Sequence, residues 1–167
     1  MLYRVISYLL LIAAGFLGFA ALFALLVALA NPALLLSVFI VVAVVLYSFT
    51  SFQFMRKVVQ QGKPFRPGFK DFIKVNGYVS LVFVVQMVLS YIAVQANPQL
   101  MQEQIRQVAE MQGSANQLPA GMLLKMMHIM IWVLFLYALL LGYHVFTTFR
   151  LLRQHAHLFV QQTDAPS

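Results

Sequence analysis

Apolar and polar positions in this chain separate into long blocks. No charged residue occurs between Arg4 and Arg56, between Lys74 and Glu103, or between Lys125 and Arg150. A helix needs about 20 apolar residues to cross the hydrocarbon core of a bilayer. The second and third gaps each hold one crossing. The first holds 51 residues, enough for two, and the tripeptide Ala30-Asn31-Pro32 divides it. The pattern predicts an all-α integral membrane protein: a four-transmembrane-helix bundle forming a single membrane domain, 1–167. The spans are expected at 5–29, 33–55, 75–96 and 126–149. Between and beyond them lie a basic connection at 56–74, an outer loop at 97–121 and a tail at 150–167.

The dividing tripeptide recurs as Ala96-Asn97-Pro98. Proline lacks a backbone N–H and is tolerated at the first position of a helix. Asparagine before it is a favourable N-cap. Asn-Pro therefore ends one helix and opens another. After Pro32 the new helix is apolar and re-enters lipid. After Pro98 the chain reads PQLMQEQIRQVAEMQG, with Met101, Ile105, Val108 and Met111 at spacings of four, three and three. That is an amphipathic helical pattern, closed by Gly113 as a C-cap and too polar to cross. It is expected to lie on the outer leaflet or over the outer mouth of the bundle; a partly ordered connector is the plainer alternative. An offset of 66 residues aligns the two tripeptides and sets Arg4 over Lys70. Little else matches, so the repeat reflects a shared capping need and not a duplication.

The first 30 residues also resemble a signal peptide, with a basic start and a terminal Ala28-Leu29-Ala30. Their apolar run far exceeds the roughly 7–15 residues of such a segment, which favours an uncleaved first span. Composition agrees with lipid as the solvent. Apolar residues make up 62% and charged residues 9%, against about a half and a quarter in soluble domains. With no cysteine, disulfides and thiolate metal sites are excluded.

Charge sets the expected orientation, because Lys and Arg are retained on the cytoplasmic side. The 56–74 connection carries Arg56, Lys57, Lys63, Arg66, Lys70 and Lys74, and shares a side with Arg4, Arg150 and Arg153. The opposite side has only Arg106 and Lys125, offset by Glu103 and Glu110. Both termini are therefore expected in the cytoplasm, in a bacterial inner membrane. The six basic residues of the connection are candidate contacts for anionic lipid headgroups, at about 1 kcal/mol each near the surface, or for an acidic partner. The net charge of +7 needs no nucleic acid to explain it.

Candidate chemistry is sparse. The acids, Asp71, Glu103, Glu110 and Asp164, all lie outside the apolar segments, whereas ion coupling usually needs an ionisable group within the membrane. His128 and His144 fall about 24 Å apart along one helix, on nearly opposite faces, so one chain cannot bring them to a shared metal or haem. His144 is expected to make a hydrogen bond within the bundle. His155 and His157 form at most a weak metal pair. No nucleotide-binding, zinc-helix or nucleophile-turn motif is present.

Two stripes remain. On span 3, Asn76, Ser80, Gln86 and Ser90 share one arc with Phe83 and Met87. They form either interhelical hydrogen bonds, at about 0.6 kcal/mol each in lipid, or the wall of a polar path. On span 1, Ala14, Gly18, Ala21 and Ala28 form a small-residue stripe suited to close helix packing, with a second row at Ala20, Ala24 and Ala28. Span 2 ends in Tyr47, Phe49, Phe52 and Phe54, an expected aromatic belt at the inner interface. The helix after it is expected to stop near Gln61. The sequence thus predicts a non-catalytic accessory, scaffold or assembly component with no cofactor, contacting lipid and a second copy or another membrane protein. The alternative is a pore or small-solute transporter, holin-like permeabilisers included, lined by span 3.

Overall fold

The computed structural model describes residues 2–64, 66–97, 99, 101–103, 105–106 and 119–159; of Pro67 and Ala120 it describes the backbone. Four helices within it are long and apolar enough to cross a membrane: α1 (Leu2–Ala30), α2 (Leu35–Phe54), α3 (Pro67–Ala96) and α4 (Ala120–Gln154). Their outward faces carry many large apolar side chains. Phe16 is 77% exposed, Leu36 69% and Phe146 67%, a surface that water would penalise and lipid accepts.

Asn31 and Asn97 make the same two kinds of hydrogen bond. The Asn31 N–H still bonds back to Val27 O at 3.1 Å, completing α1, while its side-chain Oδ1 accepts from Ala33 N at 3.2 Å. A 3-10 turn at Pro32–Leu34 then leads into α2. At the second site Asn97 N bonds Ala93 O at 2.9 Å, and Asn97 Oδ1 accepts from Gln99 N at 3.2 Å. Each asparagine thus finishes one helix with its backbone and supplies an acceptor to the next turn with its side chain.

At the other end, α2 widens into a π-helical turn at Met55–Val59. Gly62 adopts φ +61; its N–H bonds Val58 O, and Lys63 N bonds Lys57 O. The Gly62 N–H to Val58 O bond is the single 5→1 bond of an αL C-cap, whose left-handed position glycine fills without a Cβ penalty. The helix ends at Val59, two residues before the predicted stop. Further on the structure departs from the expected boundaries. Helix α3 starts at Pro67, so Lys70, Asp71 and Lys74 lie on helix and not in loop. Hydropathy marks the lipid slab, whereas hydrogen bonding sets the helix end, and Pro67 at the first position supports an earlier start. Helix α4 runs past its apolar stretch to Gln154, as expected of a segment with no Pro or Gly between Gly142 and Pro166.

Two compact units emerge: residues 1–84 with 140–167, and residues 85–139. The first contains α1, α2 and the ends of α3 and α4 nearest the basic connection. Its core holds Leu10, Val44, Tyr47, Phe54, Met55, Ile73, Leu141, Val145 and Leu152, each at most 1% exposed. In the second, Tyr91 stacks on Phe135 at 4.1 Å and meets Trp132 edge-on at 5.6 Å, with Met101, Leu123 and Ala138 buried. Of the expected amphipathic segment, Glu103 and Arg106 form a 2.8 Å ion pair; Val108, Met111 and Gly113 lie outside the described residues.

A candidate functional site at the buried histidine

Within the first unit, four polar side chains from three helices converge on one imidazole. Tyr3 and Ser7 lie one turn apart on α1, His144 and Thr148 one turn apart on α4, and Tyr47 comes from α2. The i, i+4 spacing places each pair on one helix face. His144 and Thr148 are fully buried, as is Tyr47, and Ser7 is 1% exposed. Ser7 Oγ stands 2.8 Å from His144 Nε2, and the Tyr47 hydroxyl stands 2.9 Å from His144 Nδ1. The same Tyr47 hydroxyl lies 3.0 Å from Thr148 Oγ1, and so does the Tyr3 hydroxyl. The Tyr3 ring stacks on the imidazole, centroids 4.7 Å apart and planes 7° from parallel. Tyr47 meets it edge-on at 5.8 Å.

Thr148 donates to the carbonyl of His144 at 2.8 Å, so its Oγ1 accepts from Tyr3 and from Tyr47. Ser7 Oγ also lies 2.8 Å from the carbonyl of Tyr3, to which it can donate. The imidazole tautomer sets the direction of the bonds at Nε2 and Nδ1, since each ring nitrogen faces a hydroxyl that can donate or accept.

The Ser7–His144 pair has the 2.8 Å spacing of a hydroxyl and its base. In a hydrolytic triad a carboxylate accepts at Nδ1 and fixes the tautomer, whereas here a tyrosine hydroxyl occupies that position. The network joins α1, α2 and α4 at one level.

Close packing around the network depends on Gly77 of α3. A Cβ built there would fall 2.7 Å and 2.8 Å from the Phe149 ring and 3.4 Å from Tyr47 Cε2. A methyl there would require the Phe149 ring to shift. Beside it, Asn76 Nδ2 donates to Phe72 O at 2.9 Å and Ser80 Oγ to Asn76 O at 2.7 Å. Both are buried, and their bonds stay within α3. Gln86 and Ser90 belong to the second unit and are exposed.

The span 1 stripe is placed differently. Ala14, Ala21 and Ala28 are buried, and a Cβ on Gly18 would sit 3.5 Å from Val45 of α2. Gly18 and Ala21 border an apolar groove of about 200 Å3 with Leu22, Leu25, Val42, Val45 and Leu46. In the second row, Ala20 and Ala24 are exposed. Of the basic residues, Arg56, Lys57, Lys63 and Arg66 are exposed, whereas Lys70 and Lys74 are half-buried, the latter 3.7 Å from Asp71. His128 is exposed, and His155 Nδ1 lies 3.0 Å from Leu151 O. Among the described residues, no three His, Asp or Glu side chains gather into a metal-binding group.

Sequence reasoning anticipated a bundle hydrogen bond for His144 but not its partners. Tyr47 and Phe54, read as an interfacial belt, are wholly buried; Phe49 is 52% exposed. The available signal was the pair of polar i, i+4 motifs, Tyr3/Ser7 and His144/Thr148, near the ends of the outer spans. No family model, curated protein or solved structure matches the chain.

Proposed function

We propose that this chain is a non-catalytic four-span membrane protein that serves as an accessory or assembly component, holding a rigid inner end against a partner or a second copy. The observation that carries the reading is the His144 network: its polar groups are spent on one another across three helices. Polar side chains used this way fix helix register, as buried networks do when every member is satisfied. Asn76 and Ser80 bond their own helix, which favours this reading over a polar path through span 3.

In the membrane, both termini and the basic connection face the cytoplasm of a bacterial inner membrane. The support is charge: nine of the 11 basic residues lie on that side. The 97–121 loop then lies outside, its amphipathic segment resting on the outer leaflet. Arg56, Lys57, Lys63 and Arg66 present exposed charge for an acidic partner or for anionic headgroups.

The test is purification of the tagged full-length chain in mild detergent after in-cell crosslinking. A discrete heteromeric or homomeric species is expected. A crosslink-free monomer that, reconstituted into vesicles, releases a trapped small solute would overturn the reading in favour of a pore. Single cysteines introduced at Lys63 and Asn116 of the cysteine-free chain check the topology. An impermeant thiol reagent applied to intact cells is expected to label position 116 alone.

A further inference from the structure

The end of α3 and the end of α4 together form a feature that neither helix has alone. Lys70, Lys74 and Tyr78 succeed one another at four-residue intervals along α3 and so share a face. Phe149 and Arg153 do the same on α4. With Leu152 these residues enclose a cleft of about 180 Å3. The cleft is ordered along its length. Lys70, Lys74 and Arg153 stand at the end nearest the basic connection; Tyr78 and Phe149 lie one turn, about 6 Å, deeper. The two rings touch, centroids 5.0 Å apart, and Leu152 is fully buried. Three cations face one carboxylate, Asp71, which sits 3.7 Å from Lys74 and is 74% exposed.

We infer that this cleft is a binding site for the headgroup of an anionic phospholipid. A phosphodiester between Lys74 and Arg153 receives charge-assisted hydrogen bonds from both helices. The glycerol and first acyl carbons then meet Tyr78 and Phe149, where a free phosphate has nothing to contact. Basic pockets between membrane helices recognise lipid headgroups in this way. The grooves formed around Arg56 and Lys57, and around Lys57 and Arg66, are each lined by residues of a single stretch of chain, 49–61 and 57–69. The α3–α4 cleft alone among these draws its cations from two helices. The site stands apart from the assembly role, since it needs no protein partner.

The experiment is native mass spectrometry of the full-length protein titrated with phosphatidylglycerol, with chain-matched phosphatidylcholine, or with inorganic phosphate. One phosphatidylglycerol is expected to be retained in preference to phosphatidylcholine, undisturbed by inorganic phosphate. Each of Lys74→Gln and Arg153→Gln is expected to weaken it about fivefold, the equivalent of one basic residue at a surface. Arg153→Lys keeps most of the affinity. Lys63→Gln with Arg66→Gln, a larger loss of charge outside the cleft, is expected to weaken it less than either single cleft variant, and circular dichroism checks that each variant is folded. Equal weakening by the two sets of variants would show diffuse attraction and overturn the site. So would displacement by inorganic phosphate, or equal retention of the two lipids.

Discussion

Removing one oxygen tests the His144 network more cleanly than removing the histidine. Tyr47→Phe leaves the ring, its edge-on contact with the imidazole and its volume in place, so no cavity contributes to the change. It deletes two bonds between α2 and α4, at 2.9 Å to His144 Nδ1 and 3.0 Å to Thr148 Oγ1. Interhelical hydrogen bonds in lipid average about 0.6 kcal/mol and reach about 1.7, so two give roughly 1.2 kcal/mol. The orphaned Nδ1 adds to that, because a buried polar atom left without a partner costs about 1–3 kcal/mol. The Thr148 hydroxyl, 3.5 Å away, offsets part of it by turning toward the ring. The expected loss is therefore about 1–2 kcal/mol. Equilibrium unfolding in mixed micelles measures it, with Thr148→Val and the double variant completing a cycle. Coupling of about 0.5 kcal/mol or more is expected, since the two hydroxyls share a bond. A neutral Tyr47→Phe that adds independently to Thr148→Val would refute the shared network.

Two glycines should respond with opposite signs. Gly77→Ala sets a methyl 2.7 Å from the Phe149 ring; overpacking of about 1–3 kcal/mol exceeds the gain of up to about 1 kcal/mol in helix propensity, so the same micelle assay should register a net loss. Gly18→Ala meets Val45 at an ordinary 3.5 Å and is expected to be neutral or slightly stabilising. Asn31→Ala removes the acceptor for Ala33 N and is expected to cost about 0.5–1 kcal/mol in that assay, within the usual range for an N-cap.

The spans were legible because charge avoids lipid so strongly that its gaps outline the hydrocarbon core. The Asn-Pro caps were legible because their chemistry is local, one side chain and the N–H two residues on. The His144 network was not, since Tyr3 and Thr148 stand 145 positions apart and nothing local joins them. A helical wheel reports shared angle and not what covers each level; hence Asn76 and Ser80 are buried while Gln86 and Ser90, on the same arc, are exposed. Interfacial composition has the same blind spot. It set Tyr47 beside Phe49 in one belt, but only packing shows which ring turns inward. The α3–α4 cleft needed the structure as well, because Arg153 joins Lys70 and Lys74 only once the two helices are side by side.

Hydration of the buried polar groups decides most directly between a lock and a path. Ser48 and Ser80 are at most 1% exposed, and each bonds only a carbonyl of its own helix, so cysteine replaces either with little change of shape. In the reconstituted protein, Ser48→Cys and Ser80→Cys are expected to resist a water-soluble thiol reagent while Lys63→Cys reacts fully. Labelling of both buried positions at rates near that of Lys63→Cys would reveal a water-filled route among the helices and contradict the account.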